Sequence, residues 1–265
     1  MGSYLEVGSG DLVGLRADNP GPFTLGGTNT WIVGRGPAWL VDPGPALEAH
    51  LEAIQAEVDR RGGLGGIALT HDHHDHSEAL PAVRARNPGA PAAAGRGEAD
   101  VRLQDGLRFG PLQAVAVPGH APDHFAFVVD GGVVLTGDAV LGEGSVFIAP
   151  DPGALASYLA ALERLRSLRP EVLAPGHGPV VFDAQAKLTE YIEHRREREQ
   201  RLLVALAEGR RSVQDLLDAA WSDAPAILRP AATVTLAAHL DKLDDEGRLP
   251  PGVERPHWPV DWPQV

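Results

Sequence analysis

The segment 70–76 constrains this chain more than any other part of its sequence. It reads THDHHDH, and the motif H-x-H-x-D-H within it follows directly on the apolar run Ile67-Ala68-Leu69. Imidazole and carboxylate groups are the ligands that zinc and neighbouring divalent metals prefer. So many polar side chains cannot be buried together unless each finds a partner. We therefore expect a fold that delivers this loop from the end of a buried strand onto a metal site.

The composition bounds the size of the fold and excludes some chemistry. The chain has 265 residues, 43% of them hydrophobic, which suits one large domain or one domain with an appendage. It has no cysteine, so disulfides, thiolate metal ligands and a cysteine nucleophile are excluded. No apolar run approaches the roughly 20 residues that span a bilayer, and the first residues show no secretory pattern. We expect a cytoplasmic protein with no membrane partner.

The charge bears on the partners that the protein accepts. A formal net charge of −13 repels nucleic-acid backbones unless a local basic patch overrides it. Residues 184–265 hold 11 Lys or Arg against 14 Asp or Glu, a net charge of −3. The basic residues Arg195, Arg196 and Arg198 alternate with glutamates, which predicts a solvated helix face. We expect a small-molecule substrate, with RNA as the alternative and no DNA partner; a homo-oligomer is compatible with the sequence.

Short strand-like runs alternate with helical runs up to about residue 183, which predicts a mixed α/β fold. Strands are predicted at 30–33, 39–41, 67–69, 125–129, 133–136 and 172–174. Helices are predicted at 46–61, 77–86 and 152–168, with Ser77 as the cap of the second. His and Asp residues cluster where the predicted strands end, which is where open sheets place their sites.

From about residue 184 the strand signals stop and three helices are predicted. They span about 184–208, a short stretch that opens at Ser212 with a variant of the capping box, and about 226–246. The proline-rich end, 250–263, predicts irregular structure. This change of character predicts a catalytic domain at 1–183 and a small winged-helix-like domain at 184–265. We expect the second domain to pack against the first and to shape its pocket.

Further candidate ligands stand in turns that follow apolar runs. His71 and His73 lie two residues apart on extended chain and suit one metal, whereas the carboxylate and imidazole beyond the next turn suit a second. Asp138, at the end of a strand, is a candidate shared ligand. His120 and His177, each preceded by Pro-Gly, offer the imidazole that each metal still lacks.

These motifs resemble those of the metallo-β-lactamase superfamily. THDHHDH at 70–76, PGH at 118–120, GD at 137–138 and PGHG at 175–178 stand in that family's order. The resemblance implies an α+β fold, a four-layer αββα sandwich with a dinuclear metal site along one sheet edge. It implies two Zn²⁺ ions, with Mn²⁺ or Fe²⁺ as alternatives, held by His71, His73 and His120 for the first metal, by Asp75, His76 and His177 for the second, and by Asp138 as a bridge.

A finer similarity reaches into the C-terminal region. GTNT at 27–30, PGHAPDH at 118–124 and the charged helix around 194–199 resemble the lactamase-beta-like-2 group, whose members carry a winged-helix-like C-terminal domain. That group includes an endoribonuclease and thioesterases of carrier-bound acyl chains. The sequence Ser77-Glu78-Ala79 departs from the Gly-Gly of many relatives, which affects the local loop shape. His124 is predicted to fix the loop rather than to bind metal, and Asn29 to have a structural role.

The expected chemistry is hydrolysis by a metal-bridging hydroxide, because two Lewis acids lower the pKa of a shared water towards neutrality. Asp75 is predicted to orient that water and to take its proton. Small thioesters or esters are the first substrate class, because the charge of −13 disfavours polyanionic RNA. A single-strand-specific endoribonuclease or phosphodiesterase is the alternative. A nucleic-acid-binding regulator with a vestigial metal site is a third hypothesis, which the complete set of seven ligand positions argues against.

Overall fold

Two β-sheets form the centre of the molecule in a computed structural model that describes residues 4–7 and 11–257. The first sheet contains seven strands, which are neighbours in chain order: β1 (Tyr4–Val7), β2 (Leu12–Arg16), β3 (Asn29–Val33), β4 (Ala38–Val41), β5 (Leu64–Ala68), β6 (Ala92–Ala94) and β7 (Val101–Arg102). β1 to β4 pair antiparallel, and β4 to β7 pair parallel.

The second sheet contains five strands: β8 (Arg108–Phe109), β9 (Leu112–Ala116), β10 (Phe125–Val129), β11 (Val133–Gly137) and β12 (Val172–Pro175). Their spatial order is β12-β11-β10-β9-β8, and only β11 and β12 pair parallel. All residues of β3 and β11 are buried. Such continuous burial is expected where a sheet is covered on both faces.

Apart from the short helix α2, which lies at the end of the sheets, the described helices lie on the outer faces of the two sheets and in the C-terminal region. They are α1 (Glu48–Arg60), α2 (His74–Ser77), α3 (Leu80–Arg86), α4 (Ala154–Ser167), α5 (Ala184–Ala207), α6 (Val213–Ala220) and α7 (Arg229–Asp245), with a 3₁₀ turn at Ala226–Leu228. Among the described residues, no helix combines the length and the apolar character that a membrane span requires.

Three hydrophobic cores separate the layers. The core between the sheets contains Trp31 and Phe127. A second core, around Ile54, packs α1 and α3 against the first sheet, and a third, around Leu162, packs α4 and the start of α5 against the second. The layers therefore follow the order helix, sheet, sheet, helix. The predicted αββα sandwich is confirmed.

The C-terminal helices have a core of their own, around Leu216, Trp221 and Leu240. α5 contributes to this core with its second half, while its first half contributes Leu188 and Ile192 to the core under the second sheet. The domain boundary after residue 183 therefore stays a prediction, since one helix serves both cores. Residues 184–257 contain helices and turns but no strand, so the wing also stays a prediction.

The remaining local predictions had mixed outcomes. The predicted strands and helices are present, with ends that differ by a few residues. The prediction that Ser77 caps a helix was wrong. Ser77 is the last residue of α2 and its hydroxyl donates to the main-chain oxygen of His73, whereas α3 begins only at Leu80. The helix start at Ser212 is confirmed, since Ser212 is the N-cap of α6 and its side chain accepts from the Asp215 amide. Residues 250–257 are irregular, and the rest of the proline-rich end lies outside the described residues.

Candidate metal centre

The seven sequence-predicted residues come from four separate places in the chain and meet at one end of the two sheets. His71 and His73 follow β5, and Asp75 and His76 lie on the short helix α2 directly after them. The other three each follow a strand of the second sheet: His120 after β9, Asp138 after β11 and His177 after β12. The strand ends thus deliver every candidate ligand to one place.

Three imidazoles form the first group of candidate ligands. His73 Nδ1 lies 2.9 Å from His71 Nε2 and 3.2 Å from His120 Nε2. All three nitrogens lie within 4.8 Å of one another, so a single ion can contact them all. This is the first triad that the family resemblance implied.

Two imidazoles and a carboxylate form the second group. His177 Nε2 lies 3.3 Å from His76 Nε2 and 3.2 Å from Asp75 Oδ2. Asp138 stands between the groups, with Oδ2 3.3 Å from His177 Nε2 and 3.7 Å from His120 Nε2. The carboxylate of Asp138 therefore occupies the place of a shared ligand.

The outer ring nitrogens of the histidines are held by oxygen acceptors. Asp42 Oδ2 accepts from His76 Nδ1 at 2.9 Å and from the Thr70 hydroxyl at 2.7 Å. Because the single hydroxyl proton of Thr70 goes to Asp42, its oxygen accepts from His71 Nδ1 at 2.9 Å. In their neutral forms, His71 and His76 therefore carry the proton on Nδ1, and Nε2 is the nitrogen that can bind a metal in the centre.

Main-chain oxygens lie next to the outer ring nitrogens of two other histidines. His120 Nδ1 lies 3.2 Å from the oxygen of Phe147, and His177 Nδ1 lies 3.4 Å from that of Gly27. Each ring is therefore oriented with Nε2 inward. Asp42 was absent from the sequence-based candidates, because a lone Asp in a Pro-Gly turn is typical of turn structure. The signal that points to it is its position directly after β4, next to the strand that carries the histidine loop.

The donor set fits divalent metal ions. Four rings, those of His71, His76, His120 and His177, are oriented by contacts of Nδ1 so that Nε2 faces the centre. Two carboxylate oxygens, Asp75 Oδ1 and Asp138 Oδ1, are buried and have no hydrogen-bond partner among the described residues. Buried polar groups are normally paired, and divalent cations satisfy imidazole nitrogen and carboxylate oxygen together.

The pKa values of the histidines differ between the two ligand groups of the centre. Burial lowers the pKa of His120 to about 4 and that of His71 well below its ordinary value, so both rings stay neutral. Burial also opposes charge on His177, but Asp138 and Asp75 outweigh it and raise its pKa to about 9. His76 behaves in the same way, and its pKa is raised well above the ordinary value. The carboxylate half thus stabilises positive charge, which a bound cation would supply.

Two neighbouring residues support the centre, as their sequence positions predicted. His124 Nε2 accepts from the Asp138 amide at 3.0 Å, and its ring stacks on that of His71 with centroids 4.6 Å apart. Asn29 Nδ2 donates to the main-chain oxygens of Pro175 and Gly178, at 3.1 Å and 2.9 Å. His124 therefore positions Asp138, and Asn29 fixes the turn that carries His177.

A cavity of about 240 Å³ opens beside the centre. His120, Asp138 and His177 line one part of it, and residues of segments 22–25, 141–147 and 221–228 and of α5 and α7 line the rest. Its apolar walls include Phe23, Leu25, Phe147, Trp221 and Leu228. The C-terminal helices therefore shape the pocket, as the sequence predicted.

Two arginines of α5 differ from the sequence-based prediction. Arg195 and Arg198 were expected on a solvated helix face, but their exposed fractions are 2% and 6%. They are buried because this face of α5 packs against the segment 145–146 and against α6. Arg196 alone faces solvent, with its guanidinium on Glu163. The prediction of a solvated face was therefore wrong for two of the three residues.

The chain is similar to known proteins over most of its length. Residues 88–177 match the family model described as Metallo-beta-lactamase superfamily. The chain is 30% identical to the Beta-lactamase-like protein 2 homolog of Drosophila melanogaster, over 90% of this chain and 89% of that protein.

Solved structures share the fold. A metallo-beta-lactamase family protein from Thermus thermophilus superposes with a TM-score of 0.72 at 24% identity, over 89% of this chain and 94% of that one. Another protein, solved in a di-iron-bound form, is 28% identical with a TM-score of 0.51, over 63% of this chain and 93% of that one. Together with the convergent ligand geometry, these similarities show that the chain belongs to the metallo-β-lactamase superfamily of metal-dependent hydrolases and is related to its beta-lactamase-like protein 2 members.

Proposed function

We propose that the protein is a dinuclear metal-dependent hydrolase of small thioesters or esters. One observation carries the proposal: two groups of three ligand atoms converge side by side, with the carboxylate of Asp138 between them. His71, His73 and His120 would hold one ion, and Asp75, His76 and His177 the other. Two divalent ions held there would lower the pKa of a water molecule towards neutrality and polarise the substrate carbonyl. Zinc suits the nitrogen and oxygen donors, and the di-iron form of a similar protein makes iron the alternative.

The protein's own side chains supply the remaining functions. Asp75 Oδ2 faces His177 and accepts from the Thr28 hydroxyl at 3.2 Å, whereas Oδ1 has no partner among the described residues. We expect Oδ1 to orient the attacking water and to take its proton. Thr28 donates to Asp75, and Asp42 accepts from His76, so these two residues orient the candidate ligands. No side-chain nucleophile is required.

The cavity supports a small acyl substrate. Its walls are largely apolar, so they suit the hydrocarbon part of an acyl group better than a chain of phosphates. The net charge of −13 repels a polyanion further. In thioester hydrolysis, the carbonyl carbon gains the water oxygen and the carbon–sulfur bond breaks. A carboxylic acid and a thiol are released.

A substrate panel tests the proposal. The metal-loaded protein and its Asp75→Asn variant are assayed on acyl thioesters, esters, lactones, β-lactams and single-stranded RNA. We expect hydrolysis of a thioester or ester that falls by about a hundredfold or more in the variant. Loss of this activity on chelation, and its return with added metal, is the second expected result. Equal rates for the two proteins would contradict the role of Asp75.

RNA cleavage is the outcome that would reverse the choice of substrate. It would have to survive repurification and disappear in Asp138→Ala. A steep loss of RNA affinity with rising salt would accompany it, because phosphate contacts release counterions. Hydrolysis of thioesters without RNA cleavage supports the proposal as it stands.

A further inference from the structure

The cavity beside the metal centre contains a buried cation that the proposed chemistry does not use. Arg195, on α5, lines the cavity together with the metal-site residues His120, Asp138 and His177. Its side chain is 2% exposed. A buried charge costs several kcal/mol unless another charge or a set of hydrogen bonds compensates it. The groups that contact this guanidinium therefore indicate the role of Arg195.

The neighbours of Arg195 satisfy only part of its hydrogen-bonding capacity. Nη2 donates to the Ser145 hydroxyl at 2.9 Å and to the main-chain oxygen of Val146. The Tyr158 ring lies 5.5 Å from the guanidinium carbon. Nε is buried and has no hydrogen-bond partner among the described residues. All of these partners are neutral, so the positive charge has no counter-ion in direct contact among the residues that the structure describes.

Arg198, one turn further along the same helix, shows the opposite arrangement. Its Nη2 lies 2.9 Å from Asp223 Oδ2, and its Nη1 contacts Asp223 Oδ1 and the main-chain oxygen of Ala220. Its charge is therefore paired by a bidentate carboxylate. The same cavity thus contains one arginine that is neutralised within the protein and one that is not. The unpaired one is the arginine that an incoming anion can contact.

We propose that Arg195 binds a carboxylate carried by the acyl part of the substrate, inside the apolar cavity beside the metal centre. The inference rests on the proposed function and narrows its substrate class to thioesters or esters of acyl groups with an apolar body and a free carboxylate. A planar guanidinium recognises a carboxylate through charge and paired hydrogen bonds. The apolar walls contact the body of the acyl group between this carboxylate and the scissile carbonyl.

Matched substrates test the subsite. N-acetylcysteamine thioesters of succinic, glutaric, adipic and suberic acid are compared with thioesters of the same chain length that end in a methyl group. For at least one length, we expect the carboxylate to raise kcat/KM about tenfold to a hundredfold, which is the usual effect of a charged hydrogen bond. In Arg195→Met the ratio of kcat/KM for the carboxylate substrate to kcat/KM for the methyl substrate should fall to about one. A wild-type ratio of one or less at every length would overturn the proposal, and so would an unchanged ratio in the variant.

Two further variants separate recognition from folding. Arg196→Met removes the same charge from the neighbouring, solvent-facing position and should keep the wild-type ratio. Arg195→Met loses the bond from the guanidinium to the Val146 main-chain oxygen and can therefore fold poorly. Arg195→Lys keeps the positive charge and should retain part of the preference for substrates with a carboxylate. Equal ratios for Arg195→Lys and the wild-type protein at every length would contradict a role for the planar guanidinium.

Direct binding separates failure of the subsite from failure of the proposed function. If the wild-type protein hydrolyses neither a thioester nor an ester, the proposed function is wrong, and calorimetry then tests the subsite with monomethyl adipate and dimethyl adipate as probes. Tighter binding of the monoester to metal-loaded wild-type protein than to Arg195→Met supports the subsite. A carboxylate bound only at the metals would bind both proteins equally, and that result would overturn it.

Discussion

At the scale of single residues, the partners of the outer ring nitrogens determine which nitrogen faces the metal centre. Asp42 is the clearest case, because its two oxygens accept from the Thr70 amide, the Thr70 hydroxyl and His76 Nδ1. An asparagine has only one side-chain acceptor oxygen and would face one of these donors with its own amide hydrogens. We therefore expect Asp42→Asn to weaken metal binding by about tenfold to a hundredfold.

Competition with a chromophoric chelator measures this effect. Asp72→Asn is the matched control, because Asp72 is an exposed residue of the same loop and belongs to neither ligand group. Its affinity should equal that of the wild-type protein. Wild-type affinity in Asp42→Asn would show that Asp42 does not set the tautomer of His76.

His50 predicts a pH dependence of stability. It is buried against the Thr30 hydroxyl, 2.8 Å from Nε2, and burial lowers its pKa to about 4. The unfolded chain takes up this proton below about pH 6.5 but the native protein only near pH 4, so this stabilisation is complete above pH 6.5 and is lost as the pH falls. The loss should reach about 2–3 kcal/mol at about pH 4.5.

Urea unfolding at about pH 7 and about pH 4.5 measures the change. His50→Gln should lose about 2–3 kcal/mol less than the wild-type protein between these two conditions. His257→Gln, at an exposed position, should follow the wild-type protein. Parallel behaviour of His50→Gln and the wild-type protein would mean that another group causes the acid loss.

The sequence predicted the candidate ligands better than it predicted the residues around them. The seven ligand positions stand in distinctive motifs, so their side-chain chemistry alone indicates a metal site. Asp42 and Arg195 have no such motif. Asp42 lies in a turn sequence, and Arg195 lies between charged residues on a helix whose buried face depends on what packs against it. Only tertiary contacts distinguish Arg195 from its exposed neighbour Arg196.

At the scale of elements, the turn between β9 and β10 depends on a glycine. Gly119 has φ +139°, and a Cβ there would lie 2.4 Å from Tyr158 Cβ and 2.5 Å from Tyr158 Cα on α4. The turn that carries His120 therefore packs directly against a helix backbone. We expect Gly119→Ala to cost about 3 kcal/mol or more, because both the backbone conformation and the packing must change.

The free energy of unfolding in urea measures this cost. Gly131→Ala is the matched control, since Gly131 also has a positive φ, +82°, but open space where the Cβ would lie. It should lose only the conformational part, about 1 kcal/mol. Equal losses for the two variants would show that contact with Tyr158 does not constrain the turn.

A comparison of the predicted strands with those that were not predicted indicates how far local sequence determines the strands. β10 and β11 are runs of β-branched and aromatic residues around a glycine turn, so they were predicted closely. Six strands were not predicted: β1, β2, β6, β7, β8 and β9. Of these, β6 consists of three alanines, and β7 and β8 of two residues each. Alanine has little intrinsic strand propensity, and two residues are too few to show an alternating pattern. Parallel pairing with β5 holds β6 in the sheet. For β6 the missing information is therefore non-local.

At the scale of the whole molecule, α5 joins the two parts of the structure. Its first half packs under the second sheet, and its second half packs with α6 and α7. We therefore expect one unfolding transition. Leu240→Ala, in the fully buried core of the C-terminal helices, should cost about 2–5 kcal/mol. It should lower the urea midpoints for helix loss and for metal release together.

Circular dichroism and a metal-sensitive dye, read in the same titration, measure the two midpoints. Val204→Ala is the control, because Val204 lies on α5 with 49% of its surface exposed. This substitution should shift the midpoint little. Loss of the C-terminal helices at low urea, with metal retained to the wild-type midpoint, would show that the two parts unfold separately.

The most direct test of the dinuclear centre is the metal content of the purified protein. Mass spectrometry of the metals, after saturation and removal of free ions, should find about two divalent ions per chain. In Asp138→Ala, with an unchanged circular dichroism spectrum, the content should fall to about one or less, because the ligand between the two groups is gone. A natively folded wild-type protein that binds at most one ion per chain would contradict the account.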